Sequence, residues 1–329
     1  MLKIGVIGIG NMGRNHVRNI LELPQHFNLI GCYDESDKNC KIIHEKYGVQ
    51  CYTDAKTLLS KTDAIILAVP SSLHLEYGLL AADYSNHALI EKPIALSKVD
   101  GDTLCNAFSN CNKTLMVGHI ERFNPVVSVM KDILKNENNI IAIEARRCSP
   151  FDIRISDTNV IFDLMIHDID IVLNYLYPES VNTIHASGVI AKSNNYSDYV
   201  QAVFQHDTGV ISTILASRVT EDKIRSIDVH TGNSLIRGDL LNKTLSIYRK
   251  TSMSPDKSYN PMYKQESIIE KVMLPIVEPL KKELIEFAEA IKDGRDALTN
   301  GEDATNALCY AEQVHELTKK SPKLDNPEK

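Results

Sequence analysis

The chain holds no tryptophan and no stretch of low complexity, and its seven cysteines include no Cys-x-x-Cys pair. Scattered thiols without Cys/His ligand spacing speak against a zinc site and a disulfide framework, so no metal is expected and a reducing cytoplasm is. No run approaches the ~18 apolar residues that a bilayer-spanning helix needs, which leaves no membrane partner to expect. The first ten residues are apolar but contain glycines and no long hydrophobic segment, the pattern of a strand and not of a signal peptide. Positive charge is also short, since 36 Lys and Arg stand against 43 Asp and Glu for a net charge of −7. Nucleic-acid binders usually carry a basic face, so no nucleic-acid partner is expected. What is abundant is apolar side chain, 43% of 329 residues. That is enough for a full core and, at this length, for two domains.

Residues 5–13 read Gly-Val-Ile-Gly-Ile-Gly-Asn-Met-Gly, a G-x-G-x-x-G run behind an apolar strand. Gly8 suits the tight turn, Gly10 lets the backbone approach a pyrophosphate, and Gly13 lets the next helix pack closely on the strand. Asn11 and Met12 open that helix, whose first N–H groups point toward the phosphates, and belong to the same site. A second strand ends at Asp34, 21 residues after Gly13, where such folds place the carboxylate that binds the adenosine ribose. Asp34 followed by Glu35 and Asp37, with no arginine directly after it, would repel a 2′-phosphate. The expected cofactor is therefore NAD and not NADP.

Strand and helix patterns alternate through the first third, with strands at 62–70, 87–93 and 113–118 and helices at 74–83 and 99–111. This is a βαβ series and hence an α/β Rossmann domain on a doubly wound parallel sheet, placed at residues 1–120. After Arg122-Phe123-Asn124-Pro125 the texture changes. A helix at 126–135 leads to longer strands at 140–147, 184–191, 199–206, 209–217 and 226–237, the pattern of a largely antiparallel sheet. Residues 121–329 are thus read as a second, α+β domain for substrate, closed by helices at 281–292 and 301–319 that pack on either domain or both.

Several motifs occur in order: Gly8-x-Gly10-x-x-Gly13, Ala68-Val69-Pro70 with His74, Glu91-Lys92-Pro93, Gly118-His119, and Asp163-x-x-x-His167-Asp168-x-Asp170. Together with Glu283-x-x-x-Phe287-x-x-x-Ile291 and Gly301-Glu302-Asp303-Ala304 they resemble the glucose–fructose oxidoreductase, inositol dehydrogenase and rhizopine catabolism (Gfo/Idh/MocA) family over nearly the whole chain. The resemblance implies NAD(P)-dependent oxidation of a sugar or polyol hydroxyl, with Lys92 and His167 at the active site. It also implies Pro70, His74 and Glu91 at the cofactor and a homodimer or homotetramer formed through the open face of the second sheet. One departure stands out. Many members carry Gly-Gly before the helix that bears Asp163, whereas this chain has Asn159-Val160-Ile161-Phe162, which leaves the shape of the substrate pocket open.

On a helical wheel over 161–176, Asp163, His167, Asp170 and Asn174 fall in a polar stripe roughly 60° wide among apolar residues. It is either the wet face of a surface helix or a buried polar cleft. A surface face is usually broader and carries Lys and Glu, and none occur here, which favours the cleft. Removing hydride from a secondary alcohol also requires removing its hydroxyl proton, and His is the side chain best matched to that transfer, so His167 is the candidate base. Asp163, one turn upstream, is placed to hold its tautomer or to bind substrate. Lys92, at the carboxyl end of a parallel strand, is placed to stabilise the developing alkoxide. Read without the family it is equally a solvated lysine before Pro93. His74 and His119 either line the nicotinamide pocket or are structural, and Asp168 is read as a surface or domain-contact residue.

The segment Pro150-Phe151-Asp152-Ile153-Arg154-Ile155-Ser156-Asp157, with Gly118 to Pro125 and the lead into Asp163, resembles the branch of the family that oxidises UDP-N-acetylglucosamine at C3. Arg122, Arg146, Arg147 and Arg154 are candidate donors to a diphosphate or ordinary surface and ion-pair arginines, with Arg154 favoured for the anion and Asn124 counted with the substrate site. The alternatives are inositol or another polyol, another nucleotide sugar, and a non-catalytic NAD-binding regulator. Both Lys92 and His167 are present and no DNA-binding module or basic tail is evident, which weighs against the regulator.

Overall fold

The run Leu-Lys-Ile-Gly-Val-Ile forms β1 (Leu2–Ile7), buried from Ile4 onward, in a computed structural model that describes residues 1–137, 139–151, 159–193, 195–250 and 267–324. There follow α1 (Asn11–Leu21), β2 (Phe27–Tyr33), α2 (Asp37–Tyr47), α3 (Ala55–Leu59), β3 (Ala64–Leu67), α4 (His74–Asp83), β4 (His87–Glu91), α5 (Lys98–Asn110) and β5 (Leu115–Gly118). The five strands lie in the order β2-β1-β3-β4-β5, every pair parallel. A strand covered by helices on both faces has no wet side, and β3 (Ala-Ile-Ile-Leu) is buried throughout. The order reverses between β1 and β3, which makes the carboxyl ends of those strands the crevice where such sheets bind ligands. Local signals fix the helix starts. Asp54 accepts the Thr57 N–H at 2.8 Å to cap α3, and Ser97 accepts the Asp100 N–H at 3.2 Å to cap α5.

The next element is α6 (Pro125–Leu134), with proline at its first position. After β6 (Ile140–Cys148) comes a helix whose centre is α7 (Ile166–Ile169), preceded by a π-helical turn at Ile161–Met165 and followed by another at Asp170–Leu176. Then β7 (Val181–Val189), β8 (Tyr199–His206), β9 (Ile211–Ser217), β10 (Ile224–Thr231), β11 (Ser234–Asp239), β12 (Thr244–Lys250) and β13 (Ser267–Val272) complete an eight-stranded sheet in the order β13-β12-β11-β10-β6-β9-β8-β7. All its pairs are antiparallel except β6–β9. The α/β and α+β expectations both hold, with one strand divided. The stretch 226–237 is two strands, β10 and β11, because Gly232-Asn233 turns the chain between them.

Two helices follow, α8 (Pro279–Asp293) and α9 (Gly301–Thr318). Contacts divide the chain into one unit of Met1–Phe123 with Val277–Glu312, and a second of Asn124–Ile276 with the residues from Gln313 onward. The sequence reading ended the first domain at 120 and left the packing of the closing helices open to both domains. Of these, α8 packs on α1, since its apolar stripe of Leu284, Phe287 and Ala290 joins the cluster of Ile4, Val17, Ile20 and Phe27. In the second unit the period-2 pattern of the strands sets the core. Ile143, Ala145 and Arg147 of β6 face inward with Val200, Ala202 and Phe204 of β8 and Ile214 of β9, and helices α6 and α7 pack on this sheet.

Candidate active site

In the first unit a cavity of about 630 Å³ opens at the switch point and is lined by Gly8, Gly10, Met12, Asp34, Pro70, Glu91 and Lys92 among others. Each glycine of the loop answers a different demand. Gly8 sits at φ +87°, and a Cβ there would lie 2.6 Å from the Ala68 carbonyl. A Cβ on Gly13 would lie 1.9 Å from the Gly8 carbonyl oxygen, so Gly13 is buried beneath the loop and not on the cavity wall. Around Gly10 nothing stands within 4 Å of that position, which is the open approach that a pyrophosphate needs. No side chain caps α1, leaving its first-turn N–H groups for an anion.

Asp34 is held at the end of β2 by three donors. Its Oδ2 accepts the Ile9 N–H at 2.6 Å, and its Oδ1 accepts the Ser36 N–H at 2.8 Å and the Asn39 amide at 3.1 Å. A carboxylate has about four acceptor sites, so one remains for a ribose hydroxyl. Arg14 is turned onto the Ile9 carbonyl at 3.1 Å and the Asn39 amide oxygen at 3.2 Å. With Glu35 and Asp37 both exposed nearby, the geometry favours a ribose over a ribose phosphate. The kcat/KM for NAD should therefore exceed that for NADP, and Asp34→Ser should narrow the difference by about tenfold or more, equivalent to about 1.4 kcal/mol. Steady-state kinetics with both cofactors checks this, and a wild-type preference for NADP would overturn the reading of Asp34.

Other residues expected at the cofactor fall outside the wall. Asn11 is exposed at the start of α1. His74 is 1% exposed, its Nδ1 2.8 Å from the Pro93 carbonyl and its Nε2 3.1 Å from the Val69 carbonyl. It ties the segment after β3 to the segment after β4, and burial lowers its pKa, opposed by those two carbonyls. The Lys92–Pro93 peptide between them is cis. His119 is likewise buried, at 2% exposure.

In the second unit Asp163 and His167 are both partly exposed on the helix, while Asp168 and Asp170 are buried. The π-helical turns widen the helix, so the polar residues do not stack as an α-helical wheel arranges them. Asp163 accepts from Arg218 Nη2 at 2.9 Å. Arg218, just past β9 and 3% exposed, was not singled out in the sequence; its only signal is an arginine closing an apolar strand. Asp170 accepts from the Asn174 amide at 3.3 Å.

Asp168 is not a surface residue. It takes a bidentate pair from Arg147, with Nε to Oδ2 at 2.9 Å and Nη2 to Oδ1 at 2.8 Å, both side chains buried. Arg147 faces inward and Arg146 outward because neighbours on a strand alternate. The geometry gives the other candidate substrate groups structural partners as well. Arg122, in the first unit, donates to the Leu298 carbonyl at 2.7 Å and to Asp303 at 2.8 Å and is 2% exposed. Asn124 caps α6 through the Val126 N–H at 3.1 Å and donates to the Leu240 carbonyl at 3.3 Å. Arg154 lies outside the described residues.

Residues 2–119 match the family model described as Oxidoreductase family, NAD-binding Rossmann fold, designated GFO_IDH_MocA. Over that stretch the chain is similar to the Gfo/Idh/MocA oxidoreductases. This oxidoreductase is 28% identical over 313 residues to UDP-N-acetylglucosamine 3-dehydrogenase of Acidithiobacillus ferrooxidans, covering 95% of this chain and 96% of that one. A solved structure of that enzyme superposes with a TM-score of 0.87 at 27% identity, over 97% of both chains. Myo-inositol 2-dehydrogenase of Thermotoga maritima is 25% identical over 342 residues, 98% of this chain and 99% of the relative. The fold is also that of a levoglucosan dehydrogenase solved with NADH, at a TM-score of 0.82, 16% identity and 97% coverage of both chains. NAD is the cofactor. No helix among the described residues is long and apolar enough to cross a membrane.

Proposed function

We propose that this oxidoreductase is an NAD-dependent dehydrogenase that oxidises a secondary ring hydroxyl of a UDP-linked N-acetylhexosamine, at C3, to the keto sugar. The observation that carries this reading is the end-to-end likeness, in sequence and in fold, to UDP-N-acetylglucosamine 3-dehydrogenase. NAD, which the loop at Gly8 and Gly10 and the carboxylate of Asp34 would hold, would supply the hydride acceptor for the ring carbon. The protein must take the hydroxyl proton and stabilise the alkoxide, and we assign the first task to His167, with Asp163 orienting it or the substrate, and the second to Lys92. Lys92 stands on the cavity wall where β4 ends.

The UDP moiety gives such an enzyme a remote handle. Hexosamine hydroxyls resemble one another, so orientation has to come from binding energy distant from the reacting carbon. A free polyol offers none. We expect kcat/KM for UDP-N-acetylglucosamine to exceed that for free N-acetylglucosamine or myo-inositol by at least about tenfold, a difference of about 1.4 kcal/mol in transition-state binding. Initial-rate measurements of NADH formation with each substrate test it. The likeness to myo-inositol 2-dehydrogenase supports a second reading, a polyol dehydrogenase. Activity on inositol and none on the UDP-sugar would select that reading.

A further inference from the structure

Glu283 is fully buried on α8, and neither of its carboxyl oxygens has a hydrogen-bond partner among the described residues. The helix packs on α1, which turns two more buried polar groups inward: His16, whose Nδ1 has no partner, and Asn19, whose Oδ1 has none. The other ring nitrogen of His16, Nε2, lies 2.7 Å from Glu91 Oε1. Glu91 is also the charge acting on Glu283, and it lines the cofactor cavity.

Of the other charged groups on elements packed against α8, Arg18 and Arg122 have partners of their own and Glu121 is buried. Arg18 on α1 pairs with Glu278 at 2.9 Å. In the turn Ile120–Phe123, Arg122 pairs with Asp303 at 2.8 Å and Glu121 is 8% exposed. No cation among the described residues pairs with Glu283.

Two carboxyl groups that feel each other's charge in a medium of low dielectric resist ionising together. Glu91 has the imidazole and an edge on the cavity, with 14% side-chain exposure, whereas Glu283 has neither. Burial foremost, and then the charge of Glu91, hold the Glu283 carboxyl well above the usual carboxylate range. The strand order β2-β1-β3-β4 sets Asp34 and Glu91 three strand spacings apart, roughly 14 Å. With the adenosine ribose at Asp34, Glu91 stands at the nicotinamide end.

We propose that Glu283 and Glu91 carry one charge between them, in which the buried Glu283 keeps its proton and Glu91, held by His16, is the single anion facing the nicotinamide end of the cavity. The nicotinamide ring is cationic when oxidised and neutral when reduced, so one fixed anion favours the oxidised cofactor. Glu283 and His16 are thus positioning residues that act through Glu91. The inference rests on NAD binding and holds whatever the substrate.

Direct binding titrations of NAD and NADH give the first readout. Glu91→Gln, which keeps an oxygen for His16, should lower the ratio of NAD to NADH affinity by about tenfold, a ratio that a general loss of structure leaves unmoved. The second readout is spectroscopic. Infrared spectra of the intact protein at neutral pH should show the carbonyl band of a protonated carboxylic acid, and Glu283→Gln should remove it. Because the folded chain holds this proton above the ordinary value of 4.5, the group stabilises the fold most at low pH and progressively less as the pH rises from about 4.5 toward its folded value. Glu283→Gln should flatten that fall in thermal stability, and Glu283→Leu should do the same. An absent carboxylic acid band in the wild type, or an NAD-to-NADH ratio unchanged by Glu91→Gln, would overturn the proposal.

Discussion

Alanine at His167 should lower kcat by on the order of 10²–10⁴-fold, the range for loss of a positioned acid–base group. The dissociation constant of NAD should change little, because the cavity that holds the cofactor is lined by residues of the other unit. Lys92→Ala should give a drop of similar size for a different reason. An ammonium that stabilises a developing alkoxide acts mainly in the transition state. Since Lys92 also lines the cavity, part of its loss should appear in the KM for NAD, and Lys92→Arg should recover part of the rate by restoring charge without the compact ammonium. Asp163→Asn should impair the rate by weakening the contact to Arg218 and with it the local geometry. Steady-state kinetics with separate NADH binding measurements distinguish these patterns. A His167→Ala enzyme with near wild-type kcat would mean that the proton goes elsewhere and that the polar helix has been misassigned.

The cofactor half was legible because its requirements are backbone requirements. A positive φ at Gly8 and a 1.9 Å approach at Gly13 admit glycine alone, so the chemistry is written in residue type and spacing. The arginines were less legible because their partners come from helices distant in sequence. Nothing near Arg147 in sequence announces Asp168, 21 residues on, and nothing near Arg122 announces Asp303, 181 residues on. The arginines looked available for a diphosphate, and burial with an acid takes Arg122 and Arg147 out of that set. The wheel over 161–176 assumed uniform α-helical winding. Asp168 already falls on the apolar arc of that wheel, and what the sequence left unannounced was the buried Arg147 that pairs with it there. The packing of α8 stayed open in the sequence because an apolar stripe shows that a helix packs without showing against what.

The glycines also give the sharpest separation of folding from binding. Gly13→Ala should be strongly destabilising, because the new methyl would meet the Gly8 carbonyl oxygen, a backbone atom that cannot turn aside as the end of a flexible side chain does. Overpacking of this kind typically costs 1–3 kcal/mol and more where the neighbour is fixed, and a domain of this size loses roughly 2–4 °C in Tm per kcal/mol. The midpoint should fall by several degrees or more, with NAD binding lost along with the loop. Gly10→Ala is the converse. Its φ of −68° suits any residue, and no atom lies within 4 Å of the added Cβ, so the apo protein should melt within about a degree of wild type. The methyl would occupy the space through which a pyrophosphate reaches the α1 N–H groups, and NAD affinity should fall by about tenfold or more. Differential scanning calorimetry without cofactor, paired with NADH titration, reads both quantities on the same samples. Wild-type affinity in Gly10→Ala would mean that the diphosphate does not cross the loop at that point, whatever the stability of the variant.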